Sequence, residues 1–113
     1  MKRDKKIILI LVLIVITIII VITLIKGNHD IDEKTMQCIS NNSILIVSKT
    51  CGHCADQKRM LEPYLNYFTI LYIDENPDLW ETYDLIGVPT WIIDENTYPG
   101  VQQISKLKNL TGC

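Results

Sequence analysis

At 113 residues the chain has room for one small folded domain, and part of its length is too apolar to belong to that domain. Its charge of −2 is unevenly spread: residues 1–26 carry five basic groups and one acid, a net of +4, while residues 27–113 carry six basic groups and twelve acids, a net of −6. An acidic domain rich in apolar residues excludes nucleic acid and anionic lipid as ligands and excludes disorder.

Residues 1–6 are basic, with Lys2, Arg3, Lys5 and Lys6 offset only by Asp4. Residues 7–25 form an apolar run interrupted only by Thr17 and Thr23. Nineteen residues at about 1.5 Å each span roughly 28 Å, close to the hydrocarbon core of a bilayer. A cleaved signal peptide would have an apolar stretch of about 7–15 residues ending in a small-residue cleavage pattern. Here Lys26-Gly27-Asn28 follows without one, so an uncleaved signal anchor is expected. The positive-inside rule then puts the N-terminus in the cytoplasm and the rest on the far side: periplasm, a lumen, or the cell or virion exterior. Disulfides persist in those compartments.

Residues 26–37 are polar, with no hydrophobic period, and read as a flexible linker of roughly 15–20 Å mean reach. His29 within it reads as a solvated side chain. The folded domain is expected over residues 38–113. Ile44–Val47 is wholly apolar, as in a central strand covered on both faces. A helix is expected from Cys51 or Gly52, with Cys54, Met60/Leu61, Tyr64/Leu65 and Phe68 at helical spacing and Pro63 kinking or breaking it near its end. Thr69–Ile73 reads as a second strand. Asn76-Pro77 reads as a cap with proline at the first helical position, opening a short helix that stops near Gly87. Thr90–Ile93 is a third strand, Asp94-Glu95-Asn96 a turn, and Thr97-Tyr98 a short fourth strand. A last helix is expected from about Gln102 to Leu110, with Gly112 as its terminal cap. The order is β-α-β-α-β-β-α, an α/β domain preceded by one transmembrane helix.

Cys51-Gly52-His53-Cys54 lies between the first strand and its helix. A cysteine at a helix start faces the positive end of the dipole and unpaired N–H groups, which lowers its pKa; a protonated His53 would add to this. The spacing alone also serves zinc and haem, but a strand before and a helix after favour redox chemistry. A zinc site is poorly served, because adjacent His53 and Cys54 cannot easily share a tetrahedral ion and no second CxxC exists. The aromatics Trp80, Tyr64, Tyr67 and Phe68 read as core or half-buried surface. The acids Asp74, Glu75, Asp78, Glu81 and Asp84 read as solvated.

Two motifs carry a resemblance: Cys51-Gly52-His53-Cys54 after the first strand and Gly87-Val88-Pro89-Thr90 before the third. From Ile44 to Thr111 the chain resembles a minimal thioredoxin-like domain, with a mixed four-stranded sheet flanked by helices. CGHC is the form typical of protein disulfide isomerases. Overall, including the ending Leu107 to Cys113, the chain looks most like the thioredoxin-like domains that accompany homologues of vitamin K epoxide reductase.

The resemblance implies a thiol–disulfide oxidoreductase with no cofactor beyond the Cys51–Cys54 disulfide itself. Cys51 would be the exposed nucleophile, Cys54 the buried resolving thiol, and His53 a stabiliser of the thiolate. Pro89 would be cis, leaving the backbone of Val88 free to pair with an extended substrate segment. Gly52, Thr90 and Trp91 would border the same groove. A potential near −180 mV, against about −270 mV for thioredoxin, would make it a donor or reshuffler of disulfides. Partners would be cysteine-containing proteins and a quinone-linked membrane oxidoreductase that reoxidises the pair. Departures are Thr50, where thioredoxins have tryptophan, and Leu45, where they bury an acid that assists resolution by Cys54. Ser48-Lys49-Thr50-Cys51 resembles the glutaredoxin approach to its active site, so a glutaredoxin-like reductase is an alternative, as is a non-catalytic binding or zinc module. In such a fold Cys38 and Cys113 would both lie at the pole opposite Cys51. They could form a structural disulfide, a relay or intermolecular pair, or two free thiols.

Overall fold

The computed structural model describes residues 2–26 and 31–113, in two units described separately below. The first consists of helix α1 (Lys2–Lys26). It is long and apolar enough to cross a membrane. Its two hydroxyls are satisfied internally: Thr17 donates to the carbonyl of Ile14 and Thr23 to that of Ile20, each at 2.8 Å. Each hydroxyl is thus satisfied within its own helix.

The second unit, Asp32–Cys113, is a mixed α/β domain. Its elements are α2 (Glu33–Asn41), β1 (Ile44–Val47), α3 (Gly52–Leu61), a 3-10 turn (Leu65–Tyr67), β2 (Thr69–Tyr72), α4 (Leu79–Thr82), β3 (Thr90–Ile93), β4 (Asn96–Pro99) and α5 (Ile104–Thr111). The strands form one sheet in the order β2-β1-β3-β4, with β1 and β2 parallel and the other pairs antiparallel.

Helix α2 corrects the linker reading. Asp32 caps it by accepting the N–H of Lys34 at 3.2 Å, and Met36 and Ile39, three apart, are buried. Met36 and Ile39 alone give too short a stripe to stand out in the sequence, yet they suffice once α5 and the sheet supply the other side. Residues 27–30, His29 among them, lie outside the described residues.

Elsewhere the differences are local. Helix α3 ends at Leu61, ahead of a cis Glu62-Pro63 bond. The helix expected after Asn76-Pro77 is reduced to the single turn Leu79–Thr82, ended by Asp84 at φ 50°. Helix α5 stops, as read, at Gly112 with φ 72°, a conformation that costs glycine little.

Period-two alternation places Leu45 and Val47 of β1 with Trp91 and Ile93 of β3 on one face, against Met36, Ile39, Cys54, Leu61, Phe68 and Leu107. Ile46 and Ile92 occupy the other face, against Leu79. Central strands covered on both sides explain the unbroken apolar runs. The registers give the sheet two distinct ends. The C-terminal ends of β1 and β2 and the start of β3 meet at one; Ile44, Thr69, Ile93 and Asn96 lie at the other.

Candidate functional site

Cys51 is the N-cap of α3, with extended φ and ψ (−107°, 116°). Its Sγ accepts the N–H of Cys54 at 3.1 Å, and its carbonyl accepts the N–H of Ala55 at 3.1 Å. Sulfur thus occupies the place an Asp or Ser oxygen would take at a helix start, where orphan donors and the dipole favour negative charge. The cysteines form a disulfide with Cα atoms 5.2 Å apart. Cys51 is half-buried, whereas Cys54 is fully buried.

The Val88-Pro89 peptide is cis, and the Val88 carbonyl oxygen lies 3.7 Å from Cys51 Sγ. The chain is pinned there by Gly100, whose N–H donates to the Pro89 carbonyl at 2.7 Å, and by the Thr90 hydroxyl, which donates to Gly87 at 2.7 Å. Of the residues singled out from the sequence, Cys51, Gly52, Cys54, Val88 and Pro89 therefore come together. Thr90 joins them only as a buried support.

Trp91 is a correction. It is 0% exposed, with its ring edge-on to Phe68 at 5.8 Å between centroids, so it cannot border a groove. Two residues after Pro89 the chain is already inside β3, and alternation turns that side chain into the core. The His53 side chain is 84% exposed and lies 3.9 Å from Asp56. Arg59 binds the same Asp56 carboxylate.

Cys38 and Cys113 are joined, with Cα atoms 6.0 Å apart and a sequence separation of 75. The bridge links α2 to the residue after the cap of α5, away from Cys51. The same end of the sheet opens a cavity of about 820 Å³ lined by Asn42, Tyr67, Tyr83, Asp94 and Glu95 among others. None of the four cysteines lines it.

Two contributors escaped the sequence reading. Gln57 is buried and sits one turn beyond Cys54. Its Oε1 accepts from Trp91 Nε1 at 2.9 Å and from the Gln102 N–H at 2.6 Å, and its Nε2 donates to the Gln102 carbonyl at 3.2 Å. A polar residue at a core-facing helical position was the available signal.

Asp74 is the other. Though exposed, it accepts the Lys49 N–H at 2.8 Å and the Ser48 hydroxyl at 3.3 Å, tying the loop before Cys51 to the end of β2. The Lys49 N–H bond, above all, holds the Asp74 carboxyl below the usual aspartate range. A carboxyl with a lowered folded-state pKa stabilises above its unfolded value, and that contribution is lost as pH falls through the folded value. Wild type should therefore melt higher than Asp74→Asn near neutral pH, and the gap should close on acidification below about 3.9. Paired melts from pH 7 to pH 2 read this directly; a gap independent of pH would contradict it.

Lys49 also pairs with Glu75 at 2.9 Å. With Lys58 it brackets the Tyr72 ring, the two ammonium groups lying 5.9 and 5.3 Å from its centroid.

No family model and no curated protein matches this chain.

Proposed function

We propose that the chain is a membrane-anchored thiol–disulfide oxidoreductase whose second unit is a thioredoxin-like domain. One observation carries this reading. A half-exposed cysteine caps a helix beside a cis-proline loop, bonded to a buried cysteine one turn further on. That arrangement supplies an accessible sulfur, a stabilised leaving thiolate and a resolving thiol, the three requirements of exchange.

In the oxidising direction a substrate thiolate attacks Cys51 Sγ. The Cys51–Cys54 bond breaks, and its electron pair goes to Cys54, which takes up a proton. A second substrate thiolate then attacks the substrate sulfur of the mixed disulfide, and Cys51 leaves as a thiolate held by the Cys54 N–H and the helix dipole. The substrate has lost two electrons to the pair. A quinone-linked membrane oxidoreductase would take those electrons and restore the disulfide. Among the described residues the N–H of Val88 has no hydrogen-bond partner, so an extended substrate segment could pair with it.

Helix α1 would be the anchor, oriented by Lys2, Arg3, Lys5 and Lys6 with the N-terminus cytoplasmic and the redox domain exoplasmic. Tethering would raise the local concentration of membrane partners.

Equilibration of the Cys51–Cys54 pair in glutathione buffers is the test. A potential near −180 mV is expected, and a value below about −250 mV would reverse the direction to reduction. Insulin-reduction and scrambled-ribonuclease assays on the same preparation separate the alternatives. Turnover driven by glutathione alone would favour the glutaredoxin-like reading. Inactivity in both, with metal retained after dialysis, would favour a zinc module.

A further inference from the structure

Exchange with a peptide asks more of the site than exchange with a small disulfide. A small molecule needs only the sulfur of Cys51. An extended peptide must meet that sulfur and the Val88-Pro89 backbone together, so the helix bearing the cysteines and the strand entered through Pro89 must be held in register with each other. An error of about 1 Å in such an arrangement can cost a factor on the order of a hundred.

The register depends on few directional contacts. Cys51 Sγ lies 3.7 Å from the Val88 carbonyl oxygen, but a disulfide sulfur carries no proton, so this is a contact without a hydrogen bond. Among the described residues, Gln57 is the one side chain of α3 that hydrogen-bonds to β3 or to the segment after β4. Its amide clasps the Gln102 backbone from both sides, as a neighbouring strand would, while also accepting from Trp91. That segment in turn holds Pro89, through the Gly100 N–H. Helix α3, Pro89 and residues 100–102 thus close a ring with the Gln57 amide at its centre.

The chemistry of the side chain is specific. Two donors and one acceptor converge on it in a fully buried space. A neutral amide matches all three. A carboxylate cannot donate to Gln102, and an apolar side chain leaves every one unmatched.

We infer that Gln57 is a positioning residue for peptide substrates, setting the distance between the Cys51 sulfur and the Val88-Pro89 backbone. The inference rests on the exchange reading above. It predicts a split between substrates rather than a general loss.

The test uses the full-length chain in detergent, reduced, with two oxidants: a small symmetrical aromatic disulfide and an unstructured peptide containing one disulfide. Gln57→Met should lower kcat/KM for the peptide by roughly ten- to a hundredfold, mostly through KM, while the small disulfide reacts within about twofold of wild type. Trp91→Phe, which removes one donor and keeps an aromatic core residue, should move the ratio the same way by a smaller factor. It also serves if Gln57→Met does not fold. A melting temperature that falls while the peptide-to-small-molecule ratio stays at the wild-type value would overturn the inference and reduce Gln57 to packing. Wild type inert toward both oxidants would instead overturn the exchange reading, and this inference with it.

Discussion

Replacing both Cys38 and Cys113 by serine should lower the free energy of unfolding by about 4 kcal/mol. The bridge closes a loop of 75 residues, so the oxidised unfolded chain is denied much of the conformational freedom the variant regains. The effect is large because the domain is small. Asp32–Cys113 has a core of little more than a dozen buried apolar side chains, each contributing about 1.5–3 kcal/mol against a backbone entropy of similar total size. Such domains rarely retain more than about 3–5 kcal/mol from the core alone. Thermal unfolding at pH 7 with the Cys51–Cys54 pair oxidised should show the midpoint falling by about 15–30 °C. A fall of less than about 5 °C would mean that α2 and α5 hold together without the bridge. Active-site exchange should persist below the new midpoint, since the bridge lies at the other end of the sheet.

The placement of the two disulfides was partly legible in the residues. The CxxC spacing and the apolar run before it were enough to put Cys51 and Cys54 at a helix start after a strand, whereas the approach of Pro89 to them was only what the resemblance implied, since nothing local in Gly87-Val88-Pro89-Thr90 fixes which distant loop it meets. The strand runs Ile44–Val47 and Thr90–Ile93 were legible because a strand covered on both faces must be apolar at every position. Trp91 was misplaced because its nearness to Pro89 in sequence gives no sign of which side of β3 it takes. Helix α2 was missed because its stability comes from Met36 and Ile39 meeting the sheet and α5 rather than from a long apolar stripe of its own. Gln57 was missed for a related reason. Its partners lie 34 and 45 residues on, and a lone glutamine on a helix ordinarily faces water. Asp74 likewise looked like surface charge until the loop it clamps was seen beside it.

If the Cys51–Cys54 pair exchanges disulfides as proposed, its two cysteines should fail in opposite ways when removed. Cys51→Ser should abolish exchange, by about three orders of magnitude or more, because a hydroxyl is scarcely ionised at neutral pH and cannot form the mixed disulfide. Cys54→Ala has no disulfide to donate, but in the reverse, reducing direction the attack of its Cys51 thiolate on a substrate disulfide should stay within about tenfold of reduced wild type, and then stop. Cys51 remains half-exposed at the helix start and keeps the Cys54 backbone N–H, a main-chain group that the substitution does not touch. What is lost is the thiol that would attack from inside, so a covalent adduct should accumulate on Cys51. Non-reducing electrophoresis and peptide mass mapping of the full-length Cys54→Ala chain, mixed with a cysteine-containing substrate disulfide, would show that adduct with Cys38 and Cys113 still bridged to each other. The buried Leu45 sharpens the expectation for wild type in the same reducing direction: with no acid at that position to take up the Cys54 proton, attack of Cys54 on the mixed disulfide should be the slow step. A transient adduct should therefore be visible in wild type as well, rising within the first turnover and decaying faster as pH is raised, because the attacking thiol must ionise. Adduct on Cys54 in the Cys51→Ser chain, at a rate matching wild type, would contradict the assignment of roles.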